Sequence, residues 1–96
     1  MKKAKRYVVI TTDKKGVFFG VLDKWLQKEA IAILKNAKMC IYWSSDTKGV
    51  LGLAGIGPQK GSRLTPEIPQ IELNGVTSIM DCTKEAVKQW KLELWN

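Results

Sequence analysis

Two rhythms of apolar positions run along this chain, and they predict different elements. Tyr7-Val8-Val9-Ile10-Thr11-Thr12 and Val17-Phe18-Phe19-Gly20-Val21-Leu22 are short runs rich in β-branched and aromatic residues. Asp13-Lys14-Lys15-Gly16 separates them, so residues 7–22 read as a hairpin in which Gly16 is free to take a positive φ. Gly20 sits inside the second strand, where it removes a packing side chain; that position predicts a bulge or a sharp bend. The next stretch carries both rhythms. Leu22, Trp25, Leu26, Ala30, Ile33, Leu34 and Ala37 recur at helical spacing among good helix formers. Alternatively, residues 30–34 form a strand with Ile31 and Ile33 on one face, residues 35–38 (Lys-Asn-Ala-Lys) a turn, and residues 39–43 a further strand.

Beyond residue 43 the signals are mostly of punctuation. Ser44-Ser45-Asp46-Thr47 is rich in N-cap residues and the glycines at 55 and 57 stop helices, which predicts a short helix over about 47–55. Residues 57–63 read as a loop, and Pro66 and Pro69 confine their stretch to an edge or a loop. Asn74-Gly75, between the alternating residues 70–73 and 76–81, is a strong hairpin signal that pairs those two segments. Thr83 reads as the N-cap of a last helix near 83–94, with Glu85 in its first turn and Ala86, Val87, Trp90 and Leu94 as its apolar stripe. Trp90 and Trp95 read as packing anchors, and a stripe the sheet leaves uncovered would call for a second copy of the chain.

A resemblance decides between the two readings of residues 22–37. GVFFG, then LKNA, then IYW, and later VTSIMDCTKEA, resemble an uncharacterised family of small proteins encoded in phages and prophages. The likeness spans most of residues 7–90; Lys38 stands where that family often has arginine. It implies strands across 22–43, an accessory role in a phage or prophage, and no known activity. A second likeness, of residues 18–22 and 31–36, is to the first motif of Sm-like RNA-binding barrels, whose second motif has no counterpart. Together they imply a mainly β domain over 7–96, a small SH3-like or Sm-like antiparallel barrel with two helices, behind a basic arm at 1–6.

Composition narrows the chemistry. The 96 residues suit one domain of modest core, whose stability could lean on a second copy. No run is apolar enough to span a bilayer, and the short apolar run after MKKAKR lacks a small-residue cleavage site, which together predict a cytoplasmic protein. There is no histidine, so the usual general base, the His-assisted nucleophiles and imidazole metal sites are excluded. Cys40 and Cys82 lack metal-ligand spacing and read as reduced thiols. The glycines of residues 49–57 fit no phosphate-loop pattern. The expectation is a non-enzyme without cofactor or metal.

The formal charge of +7 is uneven. Residues 1–63 carry 13 basic and 4 acidic side chains, +9, and residues 64–96 carry 3 and 5, −2. Such a basic stretch attracts anions, although many small basic proteins are merely soluble. Lys3, Lys5 and Arg6 in the arm, Lys14 and Lys15 in the first turn, Lys38 in the later one and Arg63 are the candidate phosphate contacts, and together would form one patch if these segments converge. Tyr42 and Trp43 are the candidate stacking residues: neighbours on a strand face opposite ways, so one ring would face outward. The plainer expectation is that both rings are covered. The residues thus point to a binding module for nucleic acid or a nucleotide. The family resemblance instead points to binding of a host protein, or to sequestration of a signalling nucleotide.

Overall fold

The computed structural model describes residues 5–92. Lys3, Leu94 and Trp95 lie outside them. Six strands and two helices follow in the order β1 (Tyr7–Thr12), β2 (Val17–Leu26), β3 (Ile31–Tyr42), α1 (Gly49–Gly55), β4 (Arg63–Leu64), β5 (Ile68–Leu73), β6 (Val76–Asp81) and α2 (Lys84–Trp90), with a 3₁₀ turn at Ser45–Thr47 before α1. Every strand pairing is antiparallel.

Residues 22–37 are extended, as the resemblance implied and the helical spacing did not. The chain turns at residues 27–30, where the backbone N–H groups of Glu29 and Ala30 donate to the carbonyls of Leu26 and Gln27. The turn expected at residues 35–38 is instead the middle of β3, which pairs on one side with β2 and on the other with β5 and β4. Asn36, with φ +52°, kinks the strand there without ending it. Gly20 marks the bulge its position predicted: the β2–β3 register shifts between Phe19 and Val21, and a side chain at Gly20 would crowd the Lys35 carbonyl at 2.9 Å. In the first hairpin Lys15, not Gly16, takes the positive φ of 64°.

Asn74-Gly75 is a corner and not a hairpin. β5 bonds to β3 and β6 bonds to β1, so the two strands it joins lie at opposite ends of the order β5-β3-β2-β1-β6. Two residues span only about 10 Å of chain, so the sheet must curl until its far ends meet. Gly75, at φ +66°, makes that meeting possible: its carbonyl accepts from the Asp13 N–H at 2.8 Å, and a Cβ there would run into the Asp13 carboxylate. β5 and β6 form no ladder with each other, so the domain is a curled, open six-stranded sheet and not the closed SH3-like or Sm-like barrel expected.

Curling gives the sheet two buried faces, and β1 shows it: Val8, Val9 and Ile10 are all fully buried. Val8 and Ile10 face the inside of the curl with Ala32, Leu34, Ala37 and Leu73. Val9 faces outward with Val17, Phe19, Cys40 and Leu64, under a cover of α1 and α2. The cover is anchored by Trp90, whose ring stacks on Phe19 at 4.8 Å between centroids while its indole N–H donates to the Leu53 carbonyl at 2.9 Å. Tyr7 extends the stack on the far side of Phe19 at 5.7 Å. Such aromatic pairs add about 0.5–1.5 kcal/mol beyond the area they bury. Thr83 caps α2 as its sequence predicted, accepting from the Ala86 N–H at 3.0 Å. Ala86, Val87 and Trp90 of the α2 stripe pack into this core, and no described helix is long and apolar enough to cross a membrane.

Candidate nucleic-acid interface

The register decides which basic residues meet. Phe18 lies opposite Met39, the last pair of the β2–β3 ladder, so the first turn, with Lys14 and Lys15, and the end of β3, with Tyr42, lie towards the same end of the sheet. On the other side of β3, Tyr42 lies opposite Arg63 at the start of β4. Tyr42 and Arg63 are therefore cross-strand partners, and Lys14 and Lys15 lie towards the same end of the sheet. The loops behind them are fixed to each other: the Ser44 N–H donates to the Ser62 hydroxyl, and the Gln59 N–H donates to the Thr47 hydroxyl, each at 3.0 Å. Thr47 and Ser62 are buried, so these hydroxyls hold the 3₁₀ turn and the β4 approach as one unit and carry Lys60 to the same end.

Tyr42 and Trp43 do face opposite ways. Trp43 packs against the helix-side core. Tyr42 is 58% exposed and Ile41 beside it 50%, so the expectation that both rings are covered fails for Tyr42. The cause is a bulge. β3 spends two residues, Cys40 to Tyr42, where β4 spends one, and this turns Tyr42 away from the helices together with Arg63. An exposed ring on the strand opposite a guanidinium sets an aromatic face in a positively charged surrounding.

Below this end, on the curl side, lies a cleft of about 450 Å³. Phe18, Met39 and Leu73 line it with apolar surface, and Asp13, Lys14 and Glu72 stand among its polar groups.

The opposite end of β1 uses its cations within the protein. Six strand residues separate the two ends, about 20 Å, so Lys5 and Arg6 start at the far end from Lys14 and Lys15, and the rest of the arm lies outside the described residues. Arg6 donates through Nε to Asp81 at 2.7 Å, and this carboxylate raises the guanidinium pKa further. Lys91 donates to the Tyr7 hydroxyl at 3.3 Å and its ammonium lies 5.1 Å from the ring centroid. Lys5 joins them around a cleft of about 180 Å³ that also contains Asn36 and Glu67, which are bonded to each other at 3.1 Å. Lys38 is the clearest correction among the candidate phosphate contacts. It is 8% exposed, and its ammonium donates to the Trp90 carbonyl at 2.7 Å and the Leu92 carbonyl at 3.3 Å. These are unpaired carbonyls of the α2 C-terminus, which a cation satisfies and whose dipole it complements.

Neither thiol is poised for chemistry. Desolvation pushes Cys40 up to about 11 and Cys82 up to about 12, the second helped by the charge of Asp81. Both stay protonated at neutral pH, which leaves them poor nucleophiles and poor metal ligands. Among the described residues no three Cys, Asp or Glu side chains gather closely enough to hold a metal ion.

Sequence reasoning missed Ile41, Lys60 and the acidic members of the larger cleft. Asp13 and Glu72 lie 59 residues apart, by subtraction, and only the curl of the sheet unites them. In comparison with known proteins, the model of a family described as "Domain of unknown function (DUF6948)" matches residues 5–90. No curated protein and no solved structure matches the chain.

Proposed function

Because the chain belongs to the DUF6948 family, a family without an assigned activity, its role has to be argued from its own side chains, and we propose that it is a non-enzymatic module that binds single-stranded nucleic acid. The observation that carries this reading is Tyr42, 58% exposed and directly opposite Arg63 at the end of the sheet where Lys14 and Lys15 also stand. An outward ring at such a place has a base face to gain, worth about 1–3 kcal/mol, and the surrounding cations have phosphates to neutralise. Unpaired strands suit the site better than duplex, whose bases are already stacked on each other. The net charge of +7 supports the same reading through a general attraction for anions.

Fluorescence anisotropy with short labelled strands, single and duplex, across a salt series tests it. The reading requires single-strand binding that weakens with salt and loses affinity in Tyr42→Ala. Nucleic acid that copurifies and is released by salt would support it. No shift on any oligonucleotide at moderate salt would remove it.

A second reading, a phage-encoded accessory that binds a host protein, rests on the family resemblance and on the apolar surface of Ile41 and Tyr42 at the same end. A pull-down from host lysate that survives nuclease treatment and is lost in Ile41→Asp would favour it. A nucleotide-sequestering role is less well supported, because the larger cleft sets two carboxylates against one lysine.

A further inference from the structure

The cleft beneath the Tyr42 end has a polarity that phosphate does not explain. Asp13 and Glu72 together outnumber Lys14, so a phosphate entering the cleft would meet net negative charge, while Lys15, next along the chain, is exposed outside it. The floor is apolar and includes the half-buried ring of Phe18 beside Met39 and Leu73. The cleft is wide open to solvent, with a volume of about 450 Å³. Among the described residues, neither carboxylate takes a hydrogen bond or an ion pair from another side chain.

We infer that this cleft is a pocket for one unpaired base, guanine before the others, on a strand whose phosphates lie along the first turn at Lys15. The inference rests on the reading of the domain as a single-strand binder and adds a base preference to it. An ionised carboxylate only accepts hydrogen bonds. Guanine presents two N–H donors side by side, on N1 and on the exocyclic N2, which one carboxylate accepts as a bidentate pair. Its O6 and N7 are acceptors that suit Lys14. Thymine and uracil place two carbonyl oxygens around a single N–H, and those oxygens would face Asp13 and Glu72 unfavourably. Adenine and cytosine, each with one exocyclic amino group, fall between.

The test uses a short thymidine strand, the same strand with one central guanine, and the same strand with hypoxanthine in place of that guanine. Binding is read by anisotropy at fixed salt. The guanine strand should bind at least about fivefold more tightly than the thymidine strand, the lower end for a bidentate base contact. Hypoxanthine, which lacks the N2 amino group, should fall back towards the thymidine value on the unaltered protein. Glu72→Gln, on an exposed position of an edge strand, should retain the wild-type melting temperature and lower the guanine preference to about twofold or less. Equal binding of all three strands would overturn the pocket while leaving single-strand binding intact. A guanine preference unchanged by hypoxanthine would also overturn it. Failure to bind any of them would remove both the pocket and the reading beneath it.

Discussion

Where β1 begins, Arg6 holds Asp81, Lys91 lies over Tyr7, and Lys38 is sunk against the end of α2. Where β1 stops, Lys14 and Lys15 stand exposed towards the same end of the sheet as the outward ring of Tyr42. Both ends are basic, yet the cations of the first are engaged by the protein itself. The comparison shows that a count of positive charge does not locate a binding surface. What separates the two ends is how acceptors are used: at one end a carboxylate, a phenol and helix-end carbonyls hold Arg6, Lys91 and Lys38, while at the other Asp13 and Glu72 stand near Lys14 without bonding it.

Substitutions can break this contrast, beginning with the largest expected effect. Trp90→Ala removes the anchor of the helical cover and should cost about 3–5 kcal/mol, read by urea unfolding. Loss of that size would also unseat the carbonyl that Lys38 caps. Lys38→Met, which keeps the length of the side chain but strands two helix-end carbonyls, should cost about 1.5–3 kcal/mol. If Lys38→Met instead melts like the wild type and weakens oligonucleotide binding, the division between the ends is wrong. Tyr42→Ala should leave melting unchanged and weaken single-strand binding by about 1–3 kcal/mol. Arg6→Ala breaks an exposed ion pair and should change stability by less than about 1 kcal/mol, with little effect on affinity. At neutral pH the thiols contribute no pH dependence. A raised folded-state pKa means the native protein holds its proton longer than the unfolded chain. Stability from Cys40 and Cys82 is therefore complete below the ordinary thiol pKa and declines as pH rises from about 9 towards 11 and 12. Melting curves across that range should flatten in Cys40→Ala.

Much of the fold was legible where local and global demands agree. The first hairpin, the Gly20 bulge and the Thr83 cap follow from residue chemistry alone, because each is settled by near neighbours. Residues 22–37 were not settled in that way. Their apolar spacing fits a helix, and it is the β2–β3 ladder, with β5 on the far side of β3, that holds them extended. Asn74-Gly75 announces a reversal but says nothing of which strands the reversed segments will join. The candidate site was half legible for the same reason. Lys14, Lys15, Tyr42 and Arg63 could be singled out by type, and register then placed them towards the same end of the sheet. Lys38 looked like its neighbours in sequence, and only the position of α2 gives it a different task.

The pairing of β1 with β6 also has a consequence for how the chain is made. Val8 is joined to Asp81, so the second edge of β1 stays unsatisfied until residues 76–81 have left the ribosome. Until then a strand whose Val8, Val9 and Ile10 all belong in the core has one open flank, of the kind that recruits other chains. Fragments ending before residue 76 should therefore aggregate during synthesis, and a chaperone that shields extended apolar segments should raise the yield of the intact domain.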